Sequence, residues 1–198
     1  MYNDPLAETE SWKAHFERIQ NGDESTHDRI WQNVKPRTGD TAEMGLQPTR
    51  PEIVRTITKM KAGKAPGVDG LAVELLKWAP SMLIDRVVEI VQELWQVAAQ
   101  SDHEPNAEFW PVEWTTALVI PLWKNKQPKH DKNTWRGIIL LSVGTKIIAR
   151  IVATRVQKYS ETFIDEHQNG FRRNRGVDDV LQVSRRIAEE VAYSKHGG

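Results

Sequence analysis

Cations beside two strand-like runs are the residues of this sequence best suited to chemistry. Arg136 opens the second run, and its planar guanidinium can donate paired hydrogen bonds to phosphate oxygens. Lys124 follows the first run. Held on a rigid hairpin, the two could bind a triphosphate and leave its α-phosphate open to attack. The alternative is an exposed hairpin with ordinary surface cations. We expect this of three further lysines between the runs, Lys126, Lys129 and Lys132.

A second group of candidate residues lies at 168–175, in the sequence Gln-Asn-Gly-Phe-Arg-Arg-Asn-Arg. Gly170 permits close approach of a backbone, and Phe171 offers an apolar or stacking face. Arg172 and Arg175 can donate to phosphates, so this loop could contact a single nucleic-acid strand. The alternative leaves the arginines to solvent. We expect Phe171 in the core, with Arg172 and Arg175 facing the strand.

A tight turn is predicted at 64–70, Lys-Ala-Pro-Gly-Val-Asp-Gly. The proline fixes one φ angle, the two glycines allow positive φ, and Asp69 can accept from backbone amides ahead of it. From the residues alone, this segment is a connection between two helices.

The elements that must position these residues are mostly helical. Apolar residues at helical spacing predict the helices, and two runs of β-forming residues predict strands joined by a basic turn. The helices are predicted at 8–20, 24–34, from Pro51 to a cap at Gly63, at 72–78, 81–99, 142–159 and 177–193, and the strands at 115–123 and 135–141. Ser142 is expected to cap the helix that follows it. The sequence therefore predicts an α+β fold, mostly helical, with a short antiparallel β-hairpin packed on helices.

The stretch at 35–48 is rich in proline, glycine and threonine and is typical of a linker. It divides the chain into an N-terminal helical extension with its linker, 1–48, and a main domain, 49–198. The extension could be separate from the main fold.

Composition excludes several classes of function. There is no cysteine, so there is no disulfide, thiolate zinc site or cysteine nucleophile, and the six histidines show no ligand spacing. The longest apolar runs are too short to span a bilayer, and no membrane association is expected. Net charge is zero, but residues 106–158 carry nine basic against three acidic side chains, a net charge of +6. A phosphate-binding surface and a solvated helix face explain this excess equally well.

Three of these segments, in their order along the chain, resemble the first blocks of the reverse transcriptases of LINE-type (non-LTR) retrotransposons. The segments are 64–70, 133–142 and 168–175. In the second, Gly137 stands where the commonest family pattern has proline, and Ile139 stands where it has a hydroxyl residue. The resemblance covers roughly residues 50–190.

The resemblance implies the fingers part of a right-hand polymerase, continuing into the start of the palm, over 49–198. It places two residues on the phosphates of the incoming deoxynucleoside triphosphate, Lys124 and Arg136. It places four on the template strand, Lys64, Gln168, Arg172 and Arg175. The complete enzyme would copy an RNA template from a DNA primer and would use Mg²⁺.

The catalytic aspartates of the resembled family follow these blocks, in a Phe-x-Asp strand and an Ala-Asp-Asp turn, and neither occurs before Gly198. The segment Phe163-Ile164-Asp165 precedes the third block and lacks the paired aspartates. We therefore expect a partial polymerase without catalytic residues, a metal site or a cofactor of its own, inactive alone in primer extension. The rest of the palm and the thumb would be absent. The alternative is a non-enzymatic remnant that binds nucleic acid or a protein. The resemblance implies that the protein is located in the nucleus or the cytoplasm.

Overall fold

The structure is a computed structural model that describes residues 5–21, 42–100 and 110–196. Its helices are α1 (Pro5–Asn21), α2 (Ala42–Gly45), α3 (Arg50–Lys59), α4 (Val73–Lys77), α5 (Ser81–Gln100), α6 (Val112–Thr115), α7 (Val143–Ser160) and α8 (Val177–His196). Its strands are β1 (Leu118–Trp123) and β2 (Trp135–Leu140), and a 3-10 helix precedes β2 at Lys132–Thr134. The predicted α+β class is confirmed, since helices dominate the described chain and one antiparallel strand pair accompanies them. The helix predicted at 24–34 lies outside the described residues.

The β-hairpin runs in register from the pair Leu118–Leu140 to the pair Trp123–Trp135. The prediction that the first strand starts at Thr115 was wrong. Pro111 precedes the short helix α6, and its carbonyl accepts from the Trp114 amide at 2.7 Å. The residues before Leu118 therefore form a helical turn and an extended link instead of strand.

Helix α1 packs on one side of the hairpin. The rings of Trp12 and Trp135 meet edge to face, with centroids 5.4 Å apart. Phe16 is buried, and a Cβ at Gly137 would lie 2.9 Å from its ring. Glycine at 137 therefore leaves room for Phe16 on the strand. The division at residue 48 stays a prediction.

Helices α3 and α5 supply much of the described core. Their buried apolar residues are Ile53, Ile57, Val88, Val91 and Leu94. Thr49 accepts from the Glu52 amide at the start of α3, where Pro51 stands in the first turn as expected.

The prediction that Gly63 caps α3 was wrong, because the helix ends at Lys59 and Met60 closes it. Gly63 has φ +69° in the following turn, and its amide donates to the Glu74 carboxylate. That amide, first among several causes, holds the pKa of Glu74 below its usual value.

The chain divides into two compact units. Among described elements, the first contains α1, α3 to α6, the hairpin and the start of α7, and the second contains α2 and the chain from Ala149 onward. Within the second unit, Arg155 donates to the carbonyls of Met44 and Leu46, and Lys158 pairs with Glu43 at 2.6 Å. No helix among the described residues is long and apolar enough to cross a membrane.

Candidate functional site

Arg136 lies exposed near the start of β2. Its cross-strand partner is Leu122, so the two side chains leave the same face of the hairpin. The side chain of Arg136 has no hydrogen bond or ion pair with any of the described residues. The guanidinium is therefore available to bind an anion from solvent.

Lys124 lies just beyond β1, two residues after Leu122 and toward the same face by strand alternation. Its amide donates to the Thr134 carbonyl at 2.9 Å, and its Nζ donates to the Asn133 carbonyl at 2.8 Å. The structure thus brings Lys124 and Arg136 to one end of the hairpin. Lys124 is the more constrained of the two, because its ammonium already holds the connecting turn.

Two tryptophans anchor the basic turn between the strands. The Trp123 indole donates to the Lys126 carbonyl and the Trp135 indole to the Lys129 carbonyl, each at 2.9 Å. The Lys129 ammonium lies 5.2 Å from the centre of the Trp123 ring. Lys126 and Lys129 were predicted to be plain surface residues, but both help to form the turn, and the sequence signal for this is the tryptophan at each strand end.

Lys132 also has a packing role. Its ammonium lies 5.2 Å from the centre of the Trp12 ring and donates to the Ser11 hydroxyl. The residue is half-buried, so the turn and α1 share this contact. It adds to the Trp12–Trp135 contact in fixing α1 to the base of the turn.

The turn at 64–70 docks on the junction between β2 and α7. A Cβ at Gly67 would lie 2.5 Å from the Leu141 carbonyl carbon, so only glycine allows this approach. The Asp69 carboxylate accepts from the Leu71 amide at 3.2 Å and from the Val143 amide at 3.1 Å. The motif is therefore a latch that joins its own turn to the N-terminus of α7.

Lys64 stands at the outer edge of this latch. It is exposed, and its side chain has no hydrogen bond or ion pair within the described part of the chain. Its neighbour Ala65 is fixed instead, since the Ala65 carbonyl accepts from Lys146 at 3.3 Å.

The junction is closed from the other side by α6. Ser142 is fully buried and accepts from the Thr145 amide at 3.2 Å, which confirms the predicted cap. The Thr145 hydroxyl donates to the Trp114 carbonyl at 2.7 Å. The Trp114 ring lies so close to Gly144 that a Cβ there would fall 2.0 Å from it.

In the second unit, Arg172 organises the loop at 168–175. Only 11% of its side chain is exposed, and it pairs with the Glu161 carboxylate at 2.8 Å. It also donates to the carbonyls of Asp165, at 3.0 Å, and Gln168, at 3.4 Å. The guanidinium predicted to face a nucleic-acid strand is used within the loop. Contact of Arg172 with a template stays a prediction.

The prediction that Phe171 lies in the core was wrong, because its side chain is fully exposed. The backbone at Phe171 has φ +61°, which turns the ring away from the loop while Arg172 takes the inner position. Gln168 and Arg175 are exposed, and both bond within the loop. Gln168 donates to the Gly170 carbonyl at 3.2 Å, and Arg175 makes two long contacts of 3.4 Å.

Asp165 is a turn residue in this structure. Its carboxylate accepts from the His167 amide at 2.8 Å and contacts the His167 ring at 2.9 Å. The amide, followed by the ring and Arg172, holds the pKa of Asp165 below its usual value. Among residues 5–21, 42–100 and 110–196, no three histidine or acidic side chains lie together as a metal site would require.

The Asp179 carboxylate accepts from the Gly176 amide at 2.7 Å at the start of α8. Asp179 thereby caps the N-terminus of α8, where a negative charge is also favoured by the helix dipole.

Comparison with known proteins relates this chain to mobile-element polymerases. It is 27% identical over 162 residues to a Drosophila melanogaster protein named "Probable RNA-directed DNA polymerase from transposon BS", over 77% of this chain and 17% of that protein. It is 24% identical over 171 residues to the corresponding protein from transposon X-element of the same species, over 85% and 17% of the two chains. A protein of the Drosophila type-1 retrotransposable element R1DM is 24% identical over 130 residues, 65% of this chain and 12% of that protein.

The chain thus spans about a sixth of the length of the first two relatives. No family model matches it. The resemblance inferred from the three segments is confirmed, because two of these relatives are named as probable RNA-directed DNA polymerases of transposons and the third belongs to a retrotransposable element.

Proposed function

Since its homologues are RNA-directed DNA polymerases of non-LTR retrotransposons, we propose that this chain is the fingers portion of such a reverse transcriptase. It grips the incoming nucleotide and the template, and the catalytic carboxylates are supplied elsewhere. The observation that carries the proposal is Arg136, whose side chain has no partner among the described residues, on a hairpin whose turn is anchored by two tryptophans. The ladder fixes the backbone of Arg136, so the guanidinium is presented to a phosphate from a defined position.

Arg136 donates to the phosphates of a deoxynucleoside triphosphate, and Lys124 adds a second positive charge beside it. The proposed template-side residues are Lys64, Gln168, Arg172 and Arg175. The partners of the complete enzyme are an RNA template and a DNA primer.

Mg²⁺ belongs to the complete enzyme in this proposal. When bound, it would neutralise charge on the triphosphate. Since no group of three suitable ligands lies together in the described part of the chain, no residue here is assigned to it.

The test is equilibrium binding of a deoxynucleoside triphosphate to the full chain. Arg136→Ala should weaken binding about tenfold, because a charge-assisted hydrogen bond is lost. Arg136→Lys should recover part of the affinity through its charge. Lys126→Ala is the matched control, since it removes a cation from the same hairpin and should change affinity little.

Single-stranded RNA binding tests the template side. Affinity should fall as salt rises, and each lost phosphate contact should reduce the salt dependence. If the chain binds neither triphosphate nor RNA, or binds triphosphate equally well without Arg136, the proposal is wrong. A remnant with a role in protein interaction would then be the better account.

A further inference from the structure

Phe171 presents a complete aromatic face to solvent from a defined loop. Its φ of +61° is a conformation that bulky residues rarely adopt. Such a backbone persists where surrounding contacts fix it. The exposure of the ring is therefore built into the loop.

The contacts that fix it come from inside the loop. Arg172, the next residue, binds the Glu161 carboxylate and the carbonyls of Asp165 and Gln168. The Gln168 amide group in turn holds the Gly170 carbonyl at 3.2 Å. Each residue beside Phe171 in sequence is thus fixed, and the ring is left outside.

Two guanidinium groups near the ring are free to contact phosphates. Arg173 is exposed and has no hydrogen bond or ion pair among the described residues. Arg175 makes only contacts of 3.4 Å, to the Glu166 carbonyl and the Asn169 side chain. Arg172 offsets the Glu161 carboxylate, and the Asp165 carboxylate accepts from the His167 amide. Two exposed acids, Asp165 and Glu166, therefore stand beside the exposed guanidinium groups of Arg173 and Arg175.

We propose that Phe171 is a base-stacking platform for single-stranded RNA. Arg172 is its positioning residue, and Arg173 and Arg175 donate hydrogen bonds to the RNA phosphates. This proposal rests on the proposed function, and it identifies Phe171 as the residue that contacts the bases of the RNA template. A single aromatic ring among cations suits RNA, because each unpaired base has a face to stack and a phosphate to neutralise. A protein-docking surface would instead require a contiguous apolar patch, and the other residues at 168–175 are polar or glycine.

The probe is a short single-stranded oligouridylate with one central 2-aminopurine, titrated with the full chain. Stacking on Phe171 should quench the 2-aminopurine fluorescence. Phe171→Ala should abolish the quench and weaken binding between about fivefold and about a hundredfold, the range for loss of one stacked base. Phe171→Trp should keep both. Trp78→Ala and Tyr193→Ala are matched controls, because both remove exposed aromatic rings from other elements and should change neither signal.

Salt dependence separates stacking from charge. The factor lost in Phe171→Ala should stay the same at all salt concentrations, since the ring is uncharged. Arg173→Ala should instead reduce the slope of affinity against salt by about one.

Arg172 is tested through its coupling to the ring. Arg172→Ala should weaken binding and remove the quench, and adding Phe171→Ala to it should cost little more. Additive losses, or a quench that survives Phe171→Ala, would overturn the proposal.

Failure of the two proposals is distinguishable. If the wild-type chain binds the oligonucleotide and Phe171→Ala binds equally well, the stacking platform is wrong and the proposed function stands. If the wild-type chain binds a deoxynucleoside triphosphate but not the oligonucleotide, the stacking platform is wrong and the nucleotide-binding part of the proposed function stands. If it binds neither, both are wrong.

Discussion

Asp69 is the residue whose replacement best tests the latch between the first motif and helix α7. Its carboxylate accepts from Val143 at 3.1 Å and from Leu71 at 3.2 Å. The Val143 amide is at the N-terminus of α7, where a negative charge is also favoured by the helix dipole. Asp69→Ala would leave both amides without these acceptors.

The cost can be estimated from the two bonds. Loss of a helix-capping acceptor costs about 1 kcal/mol, and the more exposed turn bond adds about 0.5–1 kcal/mol. Asp69→Ala should therefore lower the free energy of unfolding by about 2 kcal/mol. Asp69→Asn keeps one acceptor oxygen and loses the charge, so about 1 kcal/mol is expected.

Urea unfolding of the full chain, followed by far-UV circular dichroism, measures the effect. Asp85→Ala is the control, because it removes an aspartate from a solvent-exposed pair with Arg50. Such surface pairs contribute about 0–1 kcal/mol. If Asp69→Ala costs no more than Asp85→Ala, the latch does not stabilise the fold and the reasoning is refuted.

Two further predictions concern glycine sites and acid stability. Gly67→Ala should destabilise the chain by more than about 2 kcal/mol in the same urea assay, because its Cβ would overlap the Leu141 backbone. A Cβ at Gly70 would meet open space, so only the positive φ angle opposes Gly70→Ala, and the free energy of unfolding should fall by about 1–2 kcal/mol. Equal losses for the two variants would contradict the close approach of Gly67 to Leu141. Asp165 has a lowered pKa, so its stabilisation is present above the unfolded value of about 3.9 and is lost as pH falls through the folded value. The stability difference between wild type and Asp165→Asn should therefore shrink as pH falls below the unfolded value, and a difference that does not change with pH in acid would contradict the role of the His167 amide.

Local chemistry made much of this fold predictable. Ser142 as a cap and the antiparallel hairpin follow from residues close together in sequence. The bond from Asp69 to Leu71 belongs to the same class, because it spans two residues. The bond from Asp69 to Val143 spans 74 residues, and nothing in either segment identifies its partner.

The third motif shows why the rest could not be predicted. A lone aromatic residue in a loop has no periodic neighbours from which a buried face can be inferred. Arg172 turns into the loop and Phe171 turns out of it. The positive φ angle at Phe171 produces this arrangement, and a phenylalanine in a sequence does not indicate such an angle. Glu161, which attracts Arg172, lies 11 residues earlier and was not singled out by the sequence.

The latch and the proposed nucleotide grip lie at opposite ends of the same strand. Arg136 stands near the start of β2, and Val143 follows its end by three residues. At about 3.3 Å per residue, the two are separated by roughly 20 Å of chain. The hairpin ladder and its tryptophan anchors are independent of Asp69, so they should keep Arg136 in place when the latch is broken. Loss of stability in Asp69→Ala without loss of triphosphate affinity would therefore identify the first motif as architectural. A parallel loss of affinity would show that the junction also determines where the strand presents its arginine.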